Sequence, residues 1–347
     1  MKLIDYNEKK HCFLVLNSET SEIIDIPYYL RDIDSKEVPF KEKPEDYEFR
    51  IFHKKNFKEN EIYQVLEKSI NERIGWLFPI SSIVSTSHDY TNNPHYCRYA
   101  FVAHMLLILY EISESDIASM SFDEIISKKY IEKDAIIFIY EKKQIEKISK
   151  FKIDNYYANF YQYGYYLKAN YFNPNIINPK SGGKIFIQPI STHLTENDYF
   201  YKFFHQLCFE IHPIIKFHVL YQVIELLIED ILIYSLEQLI IQFKEKKIYT
   251  RSLRERITKV ESEKDRINIM IKWCKISHDD YIELHDSCAF FLTSKGREEE
   301  NFPESLYAFR NFVVHDFRNM TEDNSAIIEI NYLFELFVLD LIISYKH

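Results

Sequence analysis

One stretch near the C-terminus gathers side chains able to act on a phosphodiester: Leu306-Tyr307-Ala308-Phe309-Arg310-Asn311-Phe312-Val313-Val314-His315-Asp316-Phe317-Arg318. Read as a helix, Leu306, Phe309, Val313 and Phe317 form one apolar stripe for a core. Asn311 and His315, four residues apart, share another face. Tyr307 flanks them one turn earlier and Arg318 three residues later. Arg310 lies beside that face on an arm long enough to reach round to it. A permanent cation, an amide and an imidazole on one helix suit RNA cleavage without a metal. Imidazole, with a pKa of about 6.5, can take the 2′-hydroxyl proton or give one to the leaving 5′-oxygen. Guanidinium forks onto phosphate oxygens and offsets the charge that builds there. One His per chain is short of an acid and a base together.

Other residues could support such a centre. Glu225 and Glu229 stand one turn apart on a long apolar helix, where unpaired charge is costly, so one of them is a candidate partner for Arg310. Residues 201–347 hold 18 Lys and Arg against 24 Asp and Glu, unpromising for nonspecific nucleic-acid affinity. The exception is Lys244, Lys246, Lys247, Arg251, Arg254, Arg256 and Lys259, opposed only by Glu245 and Glu255. This run is the candidate RNA-phosphate patch, its bland reading a solvated helix end and loop. Cys274, His278, His285 and Cys288 would share a face only if one helix ran through Lys275–Asp280, which reads as a break. No metal site or cofactor is expected.

The order Arg310, polar Asn311, apolar filler and His315 resembles the R-x(4–6)-H motif of the HEPN superfamily. The resemblance covers roughly residues 199–347, an all-helical segment with one apolar helix after the motif. It implies an all-α bundle and a metal-independent endoribonuclease of the toxin or abortive-infection, antiphage kind. Arg310, Asn311 and His315 would be its catalytic residues, cutting by 2′-hydroxyl attack to leave a 2′,3′-cyclic phosphate. It also implies a homodimer with a composite site, which would bring in a second His. RNA (tRNA or mRNA) is the expected partner, with an antitoxin or a phage-derived trigger as a possible regulator. In a HEPN subgroup a Tyr two residues after the His accepts AMP; here Phe317 has no hydroxyl, which excludes that modification. A second match, Arg98…His104, has Tyr99 after the Arg and lies in a mixed α/β setting, so it reads as coincidence.

The elements around these residues follow from composition and periodicity. The chain has 347 residues and a formal charge of −10, with only 5 Gly and 10 Pro but 27 Tyr and 27 Phe. That composition excludes collagen-like, linker-like and turn-rich all-β chains, and any glycine-rich phosphate cradle. Cys12–Leu16 and Ala135–Tyr140 read as strands, with Ile145–Ile153 as a hairpin return; Glu59–Ile74 and Arg98–Ile112 read as helices. The expected fold is α+β overall: a mixed α/β domain over residues 1–150, sensor or regulatory, then a connecting region at 151–198, then an all-α HEPN-like bundle at 199–347. The connecting region is rich in aromatics, which could stack bases or simply pack. Expected bundle helices are Phe200–Ile211, a buried Ile214–Glu245, Ser252–Cys274, Asp279–Leu292, Pro303–Arg318 and Ala326–Tyr345.

Five scattered cysteines suit free thiols in a reducing cytoplasm. The longest uncharged run, Ile74–His88, is too short and too rich in Ser to span a membrane, and the N-terminus lacks a signal peptide's apolar stretch. Two other readings stay open. One is a noncatalytic HEPN-like module binding RNA, a nucleotide or a partner protein. The other is an enzyme centred on His88, Asp89, His95, Cys97 and His104, residues without a recognised spacing.

Overall fold

The computed structural model describes residues 2–7, 9–10, 12–16, 21–27, 42–58, 60–83, 85, 87–110, 135–179, 183–258, 262–298, 300–315 and 324–346. Phe317, Arg318 and Lys259 lie outside them. The chain mixes a five-stranded sheet with many helices and divides into two compact units. The first takes residues 1–153, 163–172 and 177–188; the second takes 154–162, 173–176 and 189–347. Residues 151–198 are therefore not a plain linker, because their segments alternate between the two units.

In the first unit, β1 (Lys2–Asn7), β2 (Cys12–Leu16) and β3 (Ile23–Pro27) make an antiparallel meander. A second sheet contains β4 (Tyr47–His53), β5 (Tyr63–Glu67), β6 (Glu72–Pro79), β7 (Ala135–Glu141) and β8 (Lys184–Ile187), in the order β4-β7-β6-β5-β8. The unbroken apolar run of β7 fits its central place, with Ala135–Tyr140 buried and both edges paired. The helix α1 (Pro94–Tyr110) belongs to the same core, where Tyr96 meets Trp76 and Phe78 edge to face.

Two expectations fail here. Residues 60–74 are not helical but include β5, a turn and the start of β6, with Asn71 in the left-handed conformation (φ 52°) that such turns recruit, and Glu59 lies outside the described residues. Ile145–Ile153 does not return as a strand. A single helical turn, Lys142–Ile145, follows β7 instead, whose two edges are already taken by β4 and β6.

The second unit is helical: α2 (Tyr157–Gln162), α3 (Asp198–His205), α4 (Pro213–Lys244), α5 (Thr250–Thr258), α6 (Glu263–Cys274), α7 (Ile282–Ser294), α8 (Phe302–His315) and α9 (Asn324–Ser344). Pro213 opens α4, in the first turn where its missing N–H costs nothing. The expected single helix over 252–274 is divided into α5 and α6; Ser262 caps α6 by accepting from the Asp265 N–H. The expectation that α4 is buried throughout is half right. Its buried positions run from Ile214 to Ile231, while Ile233, Ile240, Ile241 and Phe243 are exposed. Four rings of the aromatic stretch are closed to bases: Tyr157 and Tyr161 are buried in this unit, Tyr165 and Tyr166 in the other.

Candidate functional site

Helix α8 buries Phe302, Ser305, Leu306, Ala308, Phe309, Phe312 and Val313, a pattern that turns Arg310, Asn311, Val314 and His315 outward. Asn301 caps it by accepting from the Glu304 N–H. Phe309 fixes the helix, its ring edge-on to Phe217 of α4 and Phe291 of α7, each 5.1 Å between centroids. Burying such a side chain is worth roughly 1.5–3 kcal/mol. The residue after this anchor is Arg310, so its position is set by the core.

Arg310 reaches from α8 to α4. Its guanidinium lies 5.7 Å from the centre of the Tyr221 ring and 3.6 Å from the Glu225 carboxylate. Its Nη1 also donates to Asn311 Oδ1 at 3.2 Å, which holds the group and leaves the Asn311 amide nitrogen for another acceptor. About a quarter of the Arg310 side chain stays exposed. Tyr221 is itself buried, with its hydroxyl donating to Glu263 at 2.6 Å; burial and that carboxylate push its pKa far up, so it stays neutral. His315 is exposed at the last described turn of α8 and makes no hydrogen bond or ion pair with a described residue. Tyr307 is half-buried one turn before Asn311, and Glu229 is exposed one turn beyond Glu225.

One residue of this neighbourhood escaped the sequence reading. His218 lies on the exposed side of α4, two turns before Glu225. Its pKa is lowered by partial desolvation and then by the charge of Arg310, with Glu225 pulling the other way. The available signal was the polar series His218, Gln222, Glu225 and Glu229, spaced by four, three and four residues on an otherwise apolar helix.

The basic run is placed at the end of α4 and along α5. No residue of α5 is buried, and Lys244, Lys247, Arg251, Arg254 and Arg256 are all exposed. Part of its charge is balanced locally, by Lys247 with Glu245 at 2.7 Å and Arg251 with Glu255 at 3.0 Å. Exposed Tyr249 stands among these cations.

Of the alternative centre in the first unit, His88, Cys97 and His104 are all buried. His88 Nε2 is 3.0 Å from the Ser82 carbonyl and its Nδ1 accepts from the Tyr90 N–H, while the Cys97 thiol donates to the Thr91 carbonyl. His104 is fully buried, and burial holds its pKa well below the ordinary value. Arg98, its partner in the second R-x(4–6)-H match, is bound instead to Tyr47, Glu42 and Glu141. Among the described residues no group of three His, Cys, Asp or Glu could hold a metal.

A cleft of about 380 Å³ in the second unit is lined by Lys264, Asp265, His278, Tyr281 and His285, and includes neither Arg310 nor His315. Its charged groups already serve as helix caps and pairs: Asp265 with Ser262, and Lys264 with Glu304 at 3.7 Å. No helix among the described residues is long and apolar enough to cross a membrane. No protein-family model, curated protein or solved structure matches the chain.

Proposed function

We propose that the helical unit is a HEPN-like, metal-independent endoribonuclease that cuts RNA (tRNA or mRNA) by 2′-hydroxyl attack, in the service of a toxin or abortive-infection response. Arg310 would hold the scissile phosphate, Asn311 would orient Arg310 and donate to a phosphate oxygen, and His315 would transfer a proton. The observation that carries this reading is the guanidinium of Arg310, partly exposed and held by Asn311, on a helix whose last described residue is an exposed imidazole. Lys244, Lys247, Arg251, Arg254 and Arg256 would track the RNA backbone.

The test is cleavage of total RNA and purified tRNA in EDTA, comparing wild type with Arg310→Ala and His315→Ala, each shown to be folded by circular dichroism. Cleavage leaving 2′,3′-cyclic phosphate ends, lost in both variants, is the expected result. Cleavage untouched by either substitution would remove α8 from the chemistry.

A homodimer belongs to this proposal, and α4 offers a surface for it. Ile233, Ile240 and Ile241 are about half exposed in a stripe that runs from Glu229 to Lys244. Two copies laid antiparallel would set Glu229 of one chain opposite Lys244 of the other and bring Ile233 onto Ile240 and Ile241, a self-complementary pairing.

One observation favours the noncatalytic module instead. Arg310 already faces a carboxylate, Glu225, and a guanidinium so matched can serve architecture alone. Binding of RNA by a wild type that never cleaves it, in the presence of cell extract as a source of trigger, would support that reading.

A further inference from the structure

We propose that His218 is the second proton-transfer group of this centre, supplying within one chain the imidazole that Arg310, Asn311 and His315 lack. The inference rests on the ribonuclease reading above and deepens it. The residues of α4 and α8 that meet are the ground for it. His218, Gln222 and Glu225 lie on one side of two successive turns of α4, and the guanidinium of Arg310 lies against those turns, over Tyr221 and beside Glu225. A phosphate drawn to Arg310 would therefore arrive next to His218. The ring is exposed, so substrate can reach it.

The electrostatics assign the role. The charged groups that act on His218 are Arg310 from α8 and Glu225 on its own helix; Tyr199 of α3 donates its hydroxyl to the neighbouring Val219 carbonyl at 2.8 Å and is kept protonated by burial and by Glu225. Desolvation and Arg310 outweigh Glu225, so His218 is neutral near pH 7 and accepts a proton. In the step proposed, the 2′-hydroxyl gives its proton to His218 while the 2′-oxygen bonds to phosphorus. The bond from phosphorus to the 5′-oxygen breaks, and that oxygen takes a proton from protonated His315. The products are a 2′,3′-cyclic phosphate and a 5′-hydroxyl, and each imidazole regains its starting state by exchange with water. Arg310 carries the charge on the phosphorane oxygens.

The experiment measures cleavage of a short oligoribonucleotide in EDTA from pH 5 to 9, for wild type, His218→Ala and His315→Ala. A second substrate carries a p-nitrophenyl leaving group, which needs no protonation. We expect His218→Ala to lower kcat by about 100-fold or more with little change in KM, and to abolish the acid limb of the profile. Added imidazole should restore part of the rate. The activated substrate should rescue His315→Ala but not His218→Ala. Wild-type rate and profile in His218→Ala, with His315→Ala inactive, would overturn the proposal and leave the ribonuclease reading standing. Folded wild type that cleaves neither substrate, with or without cell extract as a source of trigger, would overturn both.

Discussion

The carboxylate of Glu225 on α4 stands 3.6 Å from the guanidinium of Arg310 on α8, and both side chains keep contact with solvent. In water an ion pair of this length and exposure contributes at most about 1 kcal/mol, so it can be exchanged for a phosphate without a large penalty. Glu225 thus acts as a local counter-charge. It occupies Arg310 and, through its charge, keeps the pKa of His218 from falling further.

Replacing Glu225 with Gln should therefore do two things at once. Arg310 loses its competing anion, so affinity for a 2′-O-methyl RNA oligonucleotide should rise, measured by fluorescence anisotropy. The pKa of His218 should fall, followed by NMR titration of the ring. A rise in that pKa, or weaker RNA binding, would contradict the arrangement.

Reversing Arg251 and Arg254 to Glu should weaken RNA binding and flatten the dependence of log affinity on log salt, because fewer counterions are released. Neither residue belongs to the core, and the exposed Arg251–Glu255 pair that is lost is worth only about 0.3–0.5 kcal/mol, so thermal stability should fall only slightly. Unchanged binding across the salt series would take this patch out of the account.

Ile240→Glu tests the dimer surface. Placing a charge on the exposed stripe of α4 should convert a dimer to a monomer in analytical ultracentrifugation without unfolding the chain. If His218 acts within one chain, this monomer should still cleave RNA; a site composed of two His315 side chains would lose activity with the dimer.

Lys216 and Glu335 form a pair at 2.7 Å, both almost fully buried, with the Lys216 ammonium also donating to the Cys208 carbonyl. Lys216→Met alone would leave the Glu335 carboxylate buried without the Lys216 ammonium, a loss of about 3–5 kcal/mol. Joining it with Glu335→Leu should recover most of that loss. Denaturant melts of the single and double variants would show the difference, and equal stabilities for both would mean the pair is not coupled.

Asp340 of α9 has its carboxyl pKa raised to about 6, first by burial and then by Asp280, while a hydrogen bond from Gln162 pulls the other way. The folded state therefore holds this proton where the unfolded chain has lost it. Between about pH 4 and 6 stability falls as pH rises, and above that window the cost remains, on the order of 3 kcal/mol. Asp340→Asn should raise stability at pH 7 and remove this slope, which melts at pH 4.5 and 7 would reveal. An unchanged slope would mean that another group carries the titration.

What the residues declared by themselves was whatever depends on near neighbours in the chain. The apolar stripe Leu306, Phe309 and Val313 and the outward set Arg310, Asn311 and His315 follow from 3.6-residue periodicity, and both stand in α8. The same holds for α1 and for β2 and β7, long or strongly apolar segments whose type local pattern decides. Residues 60–74 went the other way, because pairing of β6 with β7 and of β5 with β8 overrides a weak helical spacing. Apolar composition promised burial along all of α4, yet burial requires a neighbour, and its buried positions stop at Ile231. Glu225 and Glu229 were both candidate partners for Arg310 from the cost of unpaired charge, but only the tertiary structure put Glu225 beside it and added His218. No local periodicity links residues so far apart in the chain; packing of Phe309 against Phe217 does, by seating α8 where Arg310 can reach α4.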